Sequence, residues 1–300
     1  MAARNTACNT AATGTALVGI SGWRYPEWRR VFYPAGLPQR LELEYAAGQV
    51  ASLELNSSFY GLQRPSSYLK WHDATPADFV FAVKGSRVIT HVDELRNVRV
   101  PLANFFASGV LALGAKLGPV LWQLPPRLAY NAAVLEEFLA LLPRSTGAAA
   151  DLAAAHADLP RDRTWTPPEA GTWAGRPLRH ALEVRHRSYA TEECCALLRR
   201  YNTALVVADT AGKWPLLQEV TADFMYVRLH GSAELYVSGY SGTELDGWAR
   251  RIRGWVSGSG CPDGAGRDAY VYFDNTAAAH APFDAMALAA RLRVPSPHSA

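Results

Sequence analysis

The chain has 300 residues, 49% of them hydrophobic and 19% charged, which excludes a disordered, fibrous or low-complexity protein. Thirty basic against 27 acidic residues leave a net charge of +3, too small an excess to serve as a footprint for non-specific nucleic-acid binding. Nucleic acid is therefore not an expected partner; a small molecule is. Cys8, Cys194, Cys195 and Cys261 stand outside CxxC spacing and outside any Cys/His cluster, so no structural zinc site is expected and a reduced, cytoplasmic protein fits best. Neither a signal peptide nor a membrane span is expected, because no sustained apolar segment opens the chain and no run of 18 apolar residues occurs in it.

Eight short apolar runs follow one another along the sequence: ALVGIS (16–21), ASLELN (51–56), FVFAVK (79–84), PVLWQL (119–124), HALEVR (180–185), TALVVAD (203–209), FMYVRLH (224–230) and DAYVYFD (268–274). Most are apolar nearly throughout, as strands buried on both faces of a parallel sheet require. Helical patterns are expected at 37–48, 100–113, 132–142, 191–201, 244–256 and 281–292. Alternation of strand and helix predicts right-handed βαβ units. Eight of them predict a (β/α)8 TIM-barrel-like fold in one domain, with a doubly wound open sheet as the alternative, which lacks a GxGxxG after the first strand. The domain is expected over 16–292, between a tail at 1–15 and another at 293–300. Residues 144–178, rich in Ala, Pro, Gly and Asp, break the rhythm and predict an irregular insertion with one short helix near 148–157.

Polar side chains gather where each run ends: Ser21, Glu54 and Asn56, Lys84, Gln123, Glu183 and Arg185, Asp209, Arg228 and His230, Asp274. In a parallel barrel these ends share one face, where active sites are built. Side chains alternate along a strand, so Glu54 and Asn56 share a side, as do Glu183 with Arg185 and Arg228 with His230. Charges in that mouth must pair with each other, with solvent or with a ligand; a merely structural ion pair, such as Glu54 with Arg185 or Arg228, is the plain alternative for any one of them.

Seven stretches carry a resemblance to a known family: SGWRYPEWRRVFYP (21–34), LELNSSFYGLQRP (53–65), FVFAVKGSRVITH (79–91), VLWQLPP (120–126), LEVRHRSY (182–189), YVRLHG (226–231) and VYFDN (271–275). In this order, over residues 17–292, the chain resembles the YecE-like family, domain of unknown function seventy-two. The resemblance implies a TIM-barrel-related fold and no established activity. The 144–178 insertion is longer than the family's usual link, and the last motif reads FDN where the family typically shows FNN, which places an acid at Asp274.

Four kinds of chemistry compete for the mouth. An anion site would use Lys84, Arg185 and Arg228 with His91, His186 or His230 nearby, since arginine offers a planar fork and lysine a point charge to phosphate or carboxylate. Acid–base chemistry would use Glu54, Glu183 and His230, and two facing carboxylates also suit glycoside hydrolysis. A divalent metal, as in a metal-dependent hydrolase or isomerase, would take Glu54, Glu183, Asp209, His230 and Asp274, but no HxH, HExxH or DxD spacing occurs and the neighbouring Arg and Lys oppose a cation. A serine nucleophile lacks its GxSxG elbow, and no P-loop or other nucleotide-cofactor motif occurs. The expected function is an enzyme acting on a small phosphorylated or carboxylated substrate, with Glu54, Glu183 and His230 as catalytic candidates. Asn56, Lys84, His91, Gln123, Arg185, Arg228 and Asp274 are the substrate-binding candidates. A non-catalytic ligand-binding protein is the competing class, and the oligomeric state is not legible.

Overall fold

The apolar runs pair side by side, all parallel, in chain order. The computed structural model describes residues 13–166 and 173–293; Cys8, the outer parts of both expected tails and residues 167–172 of the insertion lie outside them. Strands β1 (Ala16–Ser21), β2 (Ser52–Leu55), β3 (Val80–Lys84), β4 (Leu117–Gln123) and β5 (His180–Glu183) are followed by β6 (Thr203–Leu205), β7 (Val207–Asp209), β8 (Phe224–Leu229) and β9 (Asp268–Phe273). The spatial order is β6-β5-β4-β3-β2-β1-β9-β8-β7, every pairing parallel.

The two outermost strands are halves of one run. The sixth run splits at Val206: β6 pairs with β5, β7 pairs with β8, and the Val206 N–H donates to the Leu182 carbonyl (3.0 Å). The sheet thereby closes into a TIM-type barrel of eight runs whose seam runs through the sixth. Buried Thr221 stitches that seam, accepting from the Leu205 N–H (2.7 Å) and donating to the Thr203 carbonyl (2.8 Å).

Helices α1 (Glu42–Ala47), α2 (Ser57–Tyr60), α3 (Pro65–Asp73), α4 (Arg99–Ala107), α5 (Ala132–Leu141), α6 (Thr146–Ala153), α7 (Glu192–Arg200), α8 (Gly242–Ser257) and α9 (His280–Leu292) lie between and after the strands. Local chemistry sets their ends. Thr191 accepts from the Cys194 N–H at the start of α7, and Ser241 with Glu244 forms a reciprocal capping box on α8, each satisfying donors that a helix start leaves orphaned.

Several expectations need correction. The helix expected over 37–48 starts only at Glu42, after a 3-10 turn at Gln39–Leu41 that Pro38 precedes. The one expected over 100–113 ends at Ala107 and gives way to a 3-10 stretch, Val110–Lys116. Gly109 makes the break: its φ is +111°, and a Cβ there would lie 2.6 Å from the Pro65 backbone, so only glycine fits. Helix α3 was not expected, because it buries one side chain, Tyr68, and so has no apolar stripe to announce it. The insertion helix spans 146–153 rather than 148–157; Asn104 on α4 accepts from Ala157 N–H, and Trp165 N–H donates to Ala107. Among the described residues no helix is long and apolar enough to cross a membrane.

The barrel interior is filled unevenly. Phe224, Tyr226, Tyr270 and Tyr272 from β8 and β9 pack against small residues from other strands, including Ala82, Ala181, Ala204 and Ala208. This aromatic plug fills the lower barrel and leaves the strand ends above it to polar groups.

Candidate functional site

Directly above the plug lies a buried ion-pair lattice centred on Arg228, which is 1% exposed. Its Nε and Nη2 grip Glu54 (3.0 and 2.7 Å), Nη1 donates to Glu183 (2.7 Å), and Nη2 also donates to Asp274 (3.0 Å) and more weakly to Ser21 Oγ (3.3 Å). Glu54 is further held by the Tyr226 hydroxyl and by Ser21, both at 2.7 Å. Glu183 accepts a second bond from Arg185 Nε (2.9 Å). A buried charge is tolerated only when it is paired and its remaining hydrogen-bond positions are filled; here every strand-end charge in this layer meets that condition.

The lattice sets protonation. Burial, the largest single influence, would raise the Glu183 and Asp274 carboxyls, but Arg228 together with Arg185 and His230 at Glu183, and with His230 and Lys84 at Asp274, outweighs it and holds both well below the usual carboxylate range. Arg228 is in turn held firmly charged: its desolvation is overcome by Glu54, Asp274 and Glu183. His230 is fully buried. Its Nε2 faces Arg228 Nη1 at 3.4 Å, and its Nδ1 lies 2.9 Å from Asp274 Oδ2 without hydrogen-bond alignment.

Above the lattice opens a cavity of about 640 Å³. Asn56, Lys84, His91, Gln123, Arg185, Arg228 and Asp274 all line it, so the strand ends and, for His91, the turn Val88–Val92 after β3 bring together the whole set of substrate-binding candidates. Glu54, Glu183 and His230 do not line it. They lie beneath, with no exposed surface, and reach a bound molecule only through Arg228, Arg185 and Asp274.

The lining groups differ in what they have left to offer. Arg185 gives Nε to Glu183, approaches the Tyr236 hydroxyl with Nη2 (3.4 Å) and stacks on Trp214 at 3.9 Å, leaving Nη1 without a hydrogen-bond partner among the described residues. Lys84 is 9% exposed, and its ammonium sits 4.3 Å from the Phe59 ring centre. Among the described residues it has no ion pair or hydrogen bond to its side chain. Burial first, then Arg228, pushes its pKa down to about 8, against the upward pull of Glu54, Asp274 and Glu183. His91, edge-on to Phe59 at 5.0 Å, is pushed down to about 4 by burial and by Lys84, Arg185, Arg127 and Arg87, so it is neutral near pH 7. Asn56 donates to Ser21 (2.7 Å), while its Oδ1 is buried without a partner.

Gly85 and Gly22 allow the walls to close in. A Cβ on Gly85 would sit 2.2 Å from the Trp122 ring, and one on Gly22, at φ +78°, would sit 2.8 Å from the Tyr25 hydroxyl. Tyr25 leans over the cavity from the segment that carries the WRYPEW motif and donates to the Ser21 carbonyl (2.6 Å).

Sequence reasoning did not single out Trp214, Arg87 or Thr276. Trp214 sits on a loop and Arg87 at the start of the π-helical turn Val88–Val92, and no periodicity encodes the approach of either to the mouth. Asp209, a candidate metal ligand, instead accepts from the Tyr240 hydroxyl (3.2 Å). Among the described residues no group of three or more His, Cys, Asp or Glu side chains is placed to hold a metal ion; Glu54, Glu183 and Asp274 converge on a guanidinium instead.

Comparison with known proteins agrees with the architecture. Residues 17–299 match the family described as "Protein of unknown function DUF72". The UPF0759 protein YecE of Escherichia coli K12 is 30% identical over 108 residues, which cover 36% of this chain and 37% of that protein; the alignment thus spans little more than a third of either. A DUF72 family protein from Thermotoga maritima superposes with a TM-score of 0.71 at 23% identity, covering 93% of this chain and 99% of that one. One from Enterococcus faecalis does so at 0.67 and 15%, covering 93% and 96%. At such identities the likeness speaks to the fold.

Proposed function

The chain belongs to the DUF72 family, and we propose that this member is an enzyme acting on a small anionic substrate, phosphorylated or carboxylated, at the C-terminal mouth of the barrel. The observation that carries this reading is the imbalance between the two polar layers. Below, Arg228 is neutralised by Glu54, Glu183 and Asp274. Above, the cavity is faced by Lys84, the unused Nη1 of Arg185 and exposed Arg87, with Asp274 as the one carboxylate in its lining. A cationic, partly desolvated concavity favours an anion, and arginine's planar fork suits oxyanions in particular.

In this reading Arg185 and Lys84 bind the anion, Gln123, Asn56 and Asp274 orient the remainder, and Glu54 and Glu183 hold the two arginines in place. His230 lies against Asp274, the carboxylate that faces a bound molecule. Thermal unfolding with inorganic phosphate, citrate, glucose and magnesium chloride tests it. A ligand at a hundred times its dissociation constant adds about 2.7 kcal/mol of stability. Phosphate or citrate should raise the melting temperature and glucose should not. Arg185→Gln should weaken the anion about tenfold or more, as expected for losing one charged partner. A rise with magnesium alone would overturn the anion reading in favour of a metal-dependent reaction. Anion binding without turnover across phosphorylated and carboxylated metabolites would leave a ligand-binding protein.

A further inference from the structure

Lysine is scarce in this chain, four residues against 26 arginines. Lys70 and Lys213 are exposed. Lys116 is buried, and its ammonium is taken up by the carbonyls of His72 and Thr75 and by the Thr75 hydroxyl. Lys84 alone of the four pairs burial with a free amine. It ends β3 at the floor of the cavity, and the carboxylates that would ordinarily quench it, Glu54, Glu183 and Asp274, are already committed to arginines. A point charge needed only to attract an anion would be served as well by arginine, which this sequence otherwise prefers. Arginine cannot supply a nucleophilic amine; a desolvated lysine beside other cations can.

We propose that Lys84 is a nucleophile whose neutral amine attacks an aldehyde or ketone carbon of the anionic substrate. The nitrogen lone pair forms the C–N bond while the carbonyl π pair moves to oxygen, which takes a proton; the nitrogen loses one, giving a carbinolamine. The nitrogen lone pair then expels that oxygen as water after a second protonation, leaving an iminium ion on Lys84. No oxidant, reductant or metal enters the balance. The cavity supplies proton partners: His91, neutral near pH 7, as acceptor and the Tyr236 hydroxyl as donor. The depression of the Lys84 pKa to about 8 increases the neutral fraction at physiological pH. The assignment rests on the anion reading above and refines it: Arg185 and Arg87 hold the charge, while Lys84, counted there among the anion's partners, meets the carbonyl.

Reductive trapping tests it on the intact chain. Glyoxylate, an anionic aldehyde, or acetaldehyde, a neutral one, is added with sodium cyanoborohydride, and the modified lysines are mapped by peptide mass spectrometry. Glyoxylate should label Lys84 about tenfold faster than exposed Lys70 or Lys213, because burial and neighbouring cations favour the neutral amine. Inorganic phosphate should suppress that labelling and spare the exposed sites. Lys84→Arg should lose the adduct; should that variant not fold, the site preference in the wild-type chain decides the matter unaided. Phosphate binding without preferential labelling of Lys84 by either aldehyde would overturn the nucleophile and leave the anion site standing. Fast labelling of Lys84 by acetaldehyde with no advantage for glyoxylate and no phosphate effect would overturn the anionic substrate class and leave the nucleophile.

Discussion

Arg228 decides the character of the site more than any residue the cavity exposes. Three carboxylates converge on one guanidinium, so removing it strands them together in a desolvated layer. Breaking a buried pair by deleting one partner typically costs about 3–5 kcal/mol, and Arg228→Met should fall in that range at pH 7, measured by urea unfolding. The pH dependence gives the sharper check. In the wild type, Glu183 and Asp274 titrate below their unfolded values. Their contribution to stability is therefore complete above the unfolded carboxylate range, about pH 4, and is lost as the pH falls through the lower folded values. Without the guanidinium, burial and mutual repulsion push the same carboxyls up, and protonation then favours the folded state. The deficit of the variant should shrink between pH 7 and pH 5 and go on shrinking below. Parallel stability curves for the two proteins over that range would show that Arg228 does not govern these carboxyls. Asp274→Asn should behave differently, costing less than Arg228→Met because Glu54 and Glu183 still satisfy the guanidinium, while removing the carboxylate that opens into the cavity.

At the scale of elements, the weak place in the barrel is the sixth run, and the hydroxyl of Thr221 compensates for it. Splitting at Val206 leaves β6 and β7 with three residues each, too short to hold a seam by their own ladders. Thr221 supplies one acceptor and one donor across it. Thr221→Val keeps the shape and removes both bonds, leaving the Leu205 N–H and the Thr203 carbonyl buried and unpaired. Each such group costs about 1–3 kcal/mol, so the variant should lose a few kcal/mol in chemical denaturation, and amides of β6 and β7 should exchange faster than those of β1 and β9. Unchanged exchange at the seam would mean that the barrel closes without this hydroxyl. The same run shows what sequence can and cannot convey. The apolar content of TALVVAD reveals a buried strand, because burial on both faces leaves that mark. The kink at Val206 leaves none, since it arises from the geometry of ring closure. Likewise the parity of Glu54 with Asn56 and of Arg228 with His230 follows from strand alternation. The depth at which each ends does not: Glu54 is sealed in the lattice while Asn56 reaches the cavity, and Arg228 touches the cavity while His230, two residues further on, stays buried beneath it. Loop residues such as Trp214 come to the mouth through tertiary packing alone.

At the scale of the whole molecule, barrel closure has a thermodynamic consequence. An open sheet can lose an edge strand while its centre persists, but here the two end strands, β6 and β7, are halves of one run, and the seam between them is closed by Val206 and Thr221. The functional lattice also draws on distant parts of the chain: Ser21, Glu54, Glu183, Arg228 and Asp274 come from β1, β2, the end of β5, β8 and just past β9. Loss of β2, β5, β8 or β9 therefore breaks buried ion pairs as well as a ladder, and partial unfolding there exposes unpaired charge at a cost of several kcal/mol. The barrel, with the described part of the insertion held to α4 through Ala157 and Trp165, is accordingly expected to unfold as one unit despite a length at which intermediates become common. Urea unfolding followed by far-ultraviolet dichroism, by tryptophan fluorescence and by the near-ultraviolet signal of the Tyr226 and Tyr272 plug should give coincident midpoints and one slope. A fluorescence transition that precedes the loss of secondary structure would locate an independently melting part. Truncating the insertion would then identify it: restored coincidence would assign the early phase to 144–178, and persistence would assign it to one half of the barrel and refute closure as the source of cooperativity.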